Sequence, residues 1–442
     1  MSMHSRDVER LRVAAKARSR QMRTRRRLLV SGGSLAAVAS VAAVVAVLTF
    51  GSSSRSSVVV NPAPPSPSPT TVLRLTPTTV SPITTNVAPP TTAVAPTTPL
   101  PSVTAIPWAQ VGSGWLLALW NPATPHAAGA PSSTPPVAGS IYLISPTGLR
   151  YLVGPAPAIG SDLVDWSGDG HLALFTYAPA GSQPRAIIVD LTNDRTDSSF
   201  PMTQGETVGF TRPTGQAILT SCCGTSPASV QRIGYDGQVQ LQYPSTFAQV
   251  GKASGSISES PDGTQLAVAA TGGIAVIGND GTVITQLPGS CTGLVRWLDQ
   301  AALLARCGGD GGLWEVPVPA GAPTRLTAPK SPQDFGDENL WTLPTGTFSQ
   351  ATGACGYQYV ARVAANGTTS AVNVPGVSSG DSAVIDGAAD GELAIQAEPG
   401  CGAGSSLLWF NPSTDKSRVV LGPTVNGGSV SEAILYASEP TR

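Results

Sequence analysis

The chain has 442 residues, only 12% of them charged, and its formal net charge is −1. Residues 1–27 contain ten Lys or Arg and two Asp or Glu, a net charge of +8, so the remainder carries a net charge of −9. This asymmetry confines contact with membranes or nucleic acid to the first 27 residues, and it excludes nucleic-acid binding by the acidic remainder.

A long apolar segment follows these basic residues. Residues 28–50, LLVSGGSLAAVASVAAVVAVLTF, contain no charged side chain, and 23 residues suffice to cross a bilayer as a helix. Arginines directly before the segment predict, by the positive-inside rule, that residues 1–27 are a cytoplasmic tail and that the rest lies outside. We predict a single-pass transmembrane anchor. The alternatives are a cleaved signal peptide and a twin-arginine export signal at TRRRLLV (24–30).

Residues 51–105 are dominated by Pro, Thr and Ser, as in NPAPPSPSPTT (61–71). This composition does not bury an apolar core and favours extended polyproline conformations. We predict a disordered linker that, at about 3.1 Å per residue, reaches on the order of 150 Å when extended. Residues 106–442 are then predicted to form one extracytoplasmic domain.

Turns recur through residues 106–442 at a regular spacing. The steps between successive turns of one series are 40–48 residues, with a mean of 44.5. Asp-Gly and Asn-Gly between short β-rich runs are strong hairpin signals, because both central positions require positive φ. A period near 40–45 residues is typical of a four-stranded propeller blade. We predict an all-β fold, a seven-bladed β-propeller, with six or eight blades as alternatives. The turns are Thr147-Gly148, Asn193-Asp194, Asp236-Gly237, Asp280-Gly281, Ala320-Gly321, Asn366-Gly367 and Thr414-Asp415.

One repeat carries a motif that resembles a known family. SPDGTQLAVAA (260–270) is similar to the repeat of TolB-type propellers, in which Ser-Pro-Asp-Gly is followed by two variable residues and Leu-Ala. SGDGHLALFTY (167–177) is a looser copy. The resemblance implies a propeller fold and, as in TolB-like proteins, a role in protein contacts of the cell envelope. It implies no catalytic residue.

We label the strands of a blade a to d from the centre outwards. Strand a is predicted to end in an aromatic residue at Trp108, Trp166, Phe210, Trp297 and Trp341. A large ring at a fixed place in each blade is expected to pack against the neighbouring blade rather than on a ligand. SVSEAILYA (429–437) lies beyond the last blade and is predicted to pair with the first, which would close the ring.

The cysteines fall on one face of this predicted ring. In an up-and-down blade the b–c and d–a loops share one face, here called the long-loop face, and the a–b and c–d turns share the other, the short-turn face. All six cysteines occupy b–c or d–a loops, and an even number in an exported domain favours disulfides. Cys291–Cys307 and Cys355–Cys401 are the expected pairs. Cys222 and Cys223 remain open between a vicinal disulfide, a free pair and a metal site.

The long-loop face also carries the longest predicted loops, 122–139 and 327–340. The second loop contains Asp334, Asp337 and Glu338. Because loops on a rigid scaffold are common binding elements, we expect this face to bind an envelope protein or peptide, with the acidic loop favouring a basic partner. The alternative is an acidic loop that is simply solvated.

No sequence motif indicates an enzyme. The three histidines, His4, His126 and His171, are scattered, and no nucleophile elbow, P-loop or His-Glu-x-x-His pattern occurs. We therefore assign no catalytic, cofactor or metal-ligating residue and no cofactor. The predicted function is a non-catalytic, membrane-anchored binding or scaffold module. The alternative is an extracellular propeller enzyme of the hydrolase or cyclase type, or a ligand-sensing ectodomain.

Overall fold

Short apolar runs alternate with Gly- or Asp-containing turns along the chain, and in a computed structural model each run forms a strand. The structure describes residues 106–122, 137–179, 181–223, 227–330, 336–353, 357–378, 380–399 and 404–436. The predicted tail, membrane segment and linker lie outside these ranges. Within the described ranges, no helix has the length and apolar character that crossing a membrane requires.

The strands form seven antiparallel sheets, each of which is one blade. Blade 4 has a fifth strand, β12, beside strand a. Strands b to d of blade 1 are β1 (Leu116–Asn121), β2 (Ser140–Ile144) and β3 (Arg150–Pro155). Blade 2 consists of β4 (Asp162–Trp166), β5 (Leu172–Tyr177), β6 (Arg185–Asp190) and β7 (Arg195–Pro201), and blade 3 consists of β8 (Thr207–Phe210), β9 (Ile218–Cys222), β10 (Ser229–Ile233) and β11 (Val239–Gln242). Blade 4 consists of β12 (Thr246–Phe247), β13 (Gly251–Glu259), β14 (Gln265–Ala270), β15 (Gly273–Gly278) and β16 (Val283–Pro288).

Blades 5 to 7 have four strands each, which confirms the predicted seven-bladed all-β propeller. A 3-10 turn at Trp108–Gln110 precedes β1, and a single helical turn at Pro423–Asn426 precedes the last strand. Blade 5 consists of β17 (Cys291–Asp299), β18 (Ala302–Cys307), β19 (Leu313–Pro317) and β20 (Thr324–Arg325), and blade 6 consists of β21 (Gly336–Leu343), β22 (Gly346–Thr352), β23 (Gln358–Val363) and β24 (Thr369–Ala371). Blade 7 consists of β25 (Ser382–Ala389), β26 (Glu392–Glu398), β27 (Ser406–Asn411) and β28 (Lys416–Leu421). The last strand of the chain is β29 (Ser429–Leu435).

The C-terminal strand closes the ring, as predicted. β29 pairs antiparallel with β1, with Leu435 opposite Leu116 and Ser429 opposite Asn121, and so supplies strand a of blade 1. The prediction that Trp108 ends strand a of this blade was therefore wrong. Trp108 lies in the 3-10 turn instead, because the innermost position is taken by a strand from the other end of the chain.

The Ser-Pro-Asp-Gly motif forms a tight a–b turn in blade 4. Ser260 Oγ donates to Asp262 Oδ1 at 2.7 Å, and the backbone N–H of Thr264 donates to the same oxygen at 3.0 Å. Gly263 has φ of +72°, and a Cβ at this position would clash with the carbonyl oxygen of Arg212 in the preceding blade. The motif therefore combines a side-chain cap with a glycine that lets two blades approach closely.

Large rings and glutamine side chains join neighbouring blades. Trp297 is 3% exposed, and its indole Nε1 donates to the carbonyl of Ser258 in the preceding blade at 2.8 Å, so the predicted inter-blade packing is confirmed here. In the seam between blades 6 and 7, Gln350 donates to the Ala383 carbonyl at 3.0 Å and accepts from the Ile385 N–H at 2.6 Å. These contacts satisfy backbone groups of the innermost strands, which hold the blades in a fixed register.

Candidate binding face

The two faces of the propeller differ in the length of their connections. On the short-turn face, the a–b connections of blades 5 to 7 are the two-residue segments 300–301, 344–345 and 390–391. On the long-loop face, the described parts of the connections include residues 243–245, 326–330, 372–378 and 422–428. The rigid strands therefore present most of the irregular chain on one side, as expected for a surface that binds through its loops.

A disulfide ties two strands together at this face. Cys291 and Cys307 are joined, as predicted, with Cα atoms 3.9 Å apart, and they are directly opposite each other in strands a and b of blade 5. The two side chains are 3% and 2% exposed, so the bond is shielded from solvent.

The adjacent cysteines Cys222 and Cys223, at the end of strand b in blade 3, form a vicinal disulfide across a cis peptide bond. This is one of the three states that the sequence left open. Within the described residues, no group of three or more His, Cys, Asp and Glu side chains is arranged to hold a metal ion. Cys355 and Cys401, the other expected pair, lie outside the described residues.

Asp337 lies in a strand and in the protein interior, so the prediction that it lies in an exposed loop was wrong. It is the second residue of β21 and is 0% exposed. Its Oδ2 lies 2.9 Å from Lys330 Nζ, and its Oδ1 accepts a hydrogen bond from Ser349 at 3.0 Å. The lysine in turn donates to Thr369 at 2.6 Å. The carboxylate is therefore part of an internal ion pair with Lys330. The attraction between the two charges offsets the free-energy cost of burying them.

Glu338, next in β21, is half-buried at a break in the strand register rather than in a loop. Its Oε1 accepts from Thr352 at 2.8 Å, and its Oε2 accepts from the Gln358 amide at 3.0 Å. The side chain is held by its own blade. Asp334, the third residue predicted for an acidic partner site, lies outside the described residues.

Asp386 of blade 7 is a buried carboxyl that interacts with two other carboxylates, one in blade 7 and one in blade 1. Burial, and then the neighbouring carboxylates of Glu398 and Glu432, raise the pKa of Asp386 well above its usual value. Asp386 occupies a register shift of β25, the innermost strand of blade 7. A carboxyl in this environment is stabilised in its protonated form.

An open groove lies on the long-loop face between blades 6 and 7. Its volume is about 200 Å³, and its walls come from β23, the 372–378 connection and the start of β25. Tyr357 and Tyr359 stack at one side, with centroids 6.0 Å apart and an interplanar angle of 17°. Neither tyrosine was predicted as a site residue. The alternation Tyr-Gln-Tyr at the start of β23 was a sequence signal for them, but only the packing of the blades shows which residues face them. The remaining lining residues are Val360, Val372, Asn373, Val374, Val377, Ser378 and Ala383.

The turns of the short-turn face use their polar groups internally. Partial burial alone would raise the pKa of Asp262, but hydrogen bonds from Thr264 and Ser260 outweigh it and keep that pKa below its usual value. Between blades 3 and 4, burial raises the pKa of Glu259 to about 7, although Arg212 and Arg232 donate hydrogen bonds to it. These groups stabilise the turns and the seams between blades.

No protein-family model matches the chain, and no curated protein matches it significantly. Solved propellers are similar at low identity. The β-propeller domain of the Trilobed protease from Pyrococcus furiosus is 9% identical over 70% of this chain and 95% of that chain, with a TM-score of 0.46. TolB from Acinetobacter baumannii is 13% identical over 73% of this chain and 66% of that one, with a TM-score of 0.39. A prolyl endopeptidase is 15% identical over 64% of this chain, with a TM-score of 0.46, and this chain covers 46% of its length.

Proposed function

We propose that the chain is a membrane-anchored, non-catalytic binding module of the cell envelope. Residues 28–50 cross the membrane once, residues 1–27 remain in the cytoplasm, and residues 51–105 link the anchor to a propeller held outside. The long-loop face binds a partner, which is an envelope protein or a peptide. The 23-residue apolar segment after a tail of net charge +8 supports the anchor and its orientation.

The observation that carries the binding role is the groove between blades 6 and 7. It opens on the long-loop face, where the Cys291–Cys307 disulfide joins two strands of the adjoining blade 5. It is a concave surface lined by tyrosine and valine side chains together with polar groups, and ligand sites are built from such a combination. The short-turn face, by contrast, is built from capped turns whose polar groups bond to one another.

The orientation is tested first, in intact cells that express the full chain with an epitope at its N-terminus. Externally added protease is expected to digest the propeller while the N-terminal epitope stays protected. Digestion of neither end, or of the epitope alone, would contradict the proposed topology.

The binding face is tested with a photoreactive residue at two exposed positions of blade 6 and its connections. p-Benzoylphenylalanine replaces Ser378, at the groove, or Ala365, in the c–d turn on the opposite face. In native membranes, irradiation is expected to give discrete adducts from position 378 and few from position 365. Equal adduct patterns from both positions, or none from position 378, would contradict the proposal.

A further inference from the structure

The two disulfides that the structure describes on the long-loop face differ in their access to solvent. Cys291 and Cys307 are 3% and 2% exposed, whereas Cys222 and Cys223 are each partly exposed. A thiol that opens a disulfide must reach one of its sulfur atoms, so exposure decides which of two bonds exchanges first. The Cys222–Cys223 bond is therefore the more accessible of the two to an external thiol.

The same two bonds differ in what they contribute to stability. Cys291–Cys307 has a sequence separation of 16, whereas Cys222–Cys223 joins residues that are neighbours in the sequence. The entropy that a disulfide removes from the unfolded chain grows with the length of the loop that it closes, so a bond between adjacent residues stabilises the fold least. We therefore expect the propeller to stay folded when Cys222–Cys223 is opened.

Hydrogen bonds hold the end of strand β9 independently of this disulfide. Ser221 Oγ donates to the Gly255 carbonyl of blade 4 at 2.8 Å, and Thr207 Oγ1 donates to the Ser221 carbonyl at 3.2 Å. Cys222 is the last residue of β9, so its bond to Cys223 joins no two strands. Opening the bond leaves the strand pairing intact and keeps the two sulfur atoms on adjacent residues, where they can be oxidised again.

We propose that Cys222–Cys223 is a thiol–disulfide exchange site that accepts two electrons from a dithiol, while Cys291–Cys307 remains a structural bond. A thiolate of the dithiol attacks one sulfur of the pair, forms a mixed disulfide and releases the other cysteine as a thiolate. The second thiol of the donor then attacks the mixed disulfide and releases the second cysteine. The donor ends as a disulfide, and its two protons end on Cys222 and Cys223.

The test compares both disulfides in one sample of the folded, full-length chain in detergent. Free thiols are first blocked with iodoacetamide. The protein is then treated with dithiothreitol, a small dithiol, or with reduced thioredoxin, a protein dithiol, and new thiols are labelled with isotopically heavy iodoacetamide. Peptide mapping by mass spectrometry follows the labels at Cys222 and Cys223, with Cys291 and Cys307 as the internal control. The adjacent pair is expected to gain label at least about tenfold faster than the control pair.

The two reagents distinguish the sources of the dithiol. Rapid opening by reduced thioredoxin supports exchange with a protein dithiol, and rapid opening by dithiothreitol alone supports exchange with a small one. Equal labelling rates for the two disulfides, or slower labelling of Cys222 and Cys223, would overturn the inference.

A double variant separates an exchange site from a structural bond. Cys222→Ser with Cys223→Ser is expected to unfold at the temperature of the wild type, as is the wild type after selective reduction of this pair. A clear drop in the melting temperature of either sample would overturn the inference, because the bond would then be needed for the fold. The crosslinking test of the binding face uses neither cysteine, so this proposal and the proposed function fail separately.

Discussion

Replacing Lys330 by Met removes the cation from a buried ion pair. Lys330 Nζ lies 2.9 Å from Asp337 Oδ2, and the two side chains are 6% and 0% exposed. At that separation, with an effective dielectric constant of 20, the attraction is roughly 6 kcal/mol, most of which offsets the desolvation of both groups. The variant leaves the carboxylate buried without its cation, so the expected loss in the free energy of unfolding is about 3–5 kcal/mol.

For a domain of about 340 residues, this loss lowers the melting temperature by roughly 4–7 °C. The measurement is thermal unfolding of the full chain in detergent, followed by circular dichroism. Arg325→Met is the matched control, because the Arg325–Asp310 pair is 31% and 27% exposed and is expected to contribute only about 1 kcal/mol.

The double variant Lys330→Met with Asp337→Leu distinguishes the destabilisation caused by an unpaired buried charge from that caused by altered packing. Since it removes both charges, it is expected to be more stable than Lys330→Met alone. A melting temperature of Lys330→Met equal to that of Arg325→Met would refute the reasoning, as would a double variant less stable than the single one.

Three further perturbations test other parts of the structure. Replacing both Cys291 and Cys307 by Ala opens a bond that spans 16 residues, and is expected to lower the free energy of unfolding by about 3 kcal/mol, measured by denaturant titration with and without reductant. Because the folded pKa of Glu259 is about 7 against a usual 4.5, wild-type stability should fall by roughly 3 kcal/mol as the pH rises from about 4.5 to above 7. Glu259→Gln should lack this slope in unfolding midpoints measured across that range, and equal slopes would contradict the burial of this group. Deleting residues 427–442 removes β29 and exposes the edge of β1, so size-exclusion chromatography should show association or aggregation, and a monomer as stable as the wild type would argue against closure.

Local signals were sufficient to predict the architecture. Turn dipeptides such as Asp280-Gly281 recur at nearly constant spacing. Gly281 and Asp194 have positive φ, but the residue before each does not, so the expectation of positive φ at both central positions was wrong for these turns. Closure by residues 429–437 followed from an unused apolar run after the last blade. The Cys291–Cys307 bond followed from two cysteines at the same end of neighbouring strands.

Contacts between distant residues were not predictable in the same way. The run Gly-Asp-Glu-Asn at 336–339 has low strand propensity, yet it forms the start of β21 because Lys330 and Ser349 satisfy Asp337 there. The groove depends on Tyr357 and Val377, from two connections, and on Ala383 of β25, and these residues meet only when blades 6 and 7 pack.

We propose that the propeller works outside the cell, with a long-loop face that carries the Cys291–Cys307 disulfide. The most direct measurement is peptide mapping by mass spectrometry of the chain taken from native membranes, after free thiols have been alkylated in the intact cells. The account predicts a bridged peptide pair that contains Cys291 and Cys307, neither of them alkylated, and a mass gain of two hydrogens for this bond upon reduction. Alkylated thiols at both positions would place the domain in a reducing compartment and contradict the account.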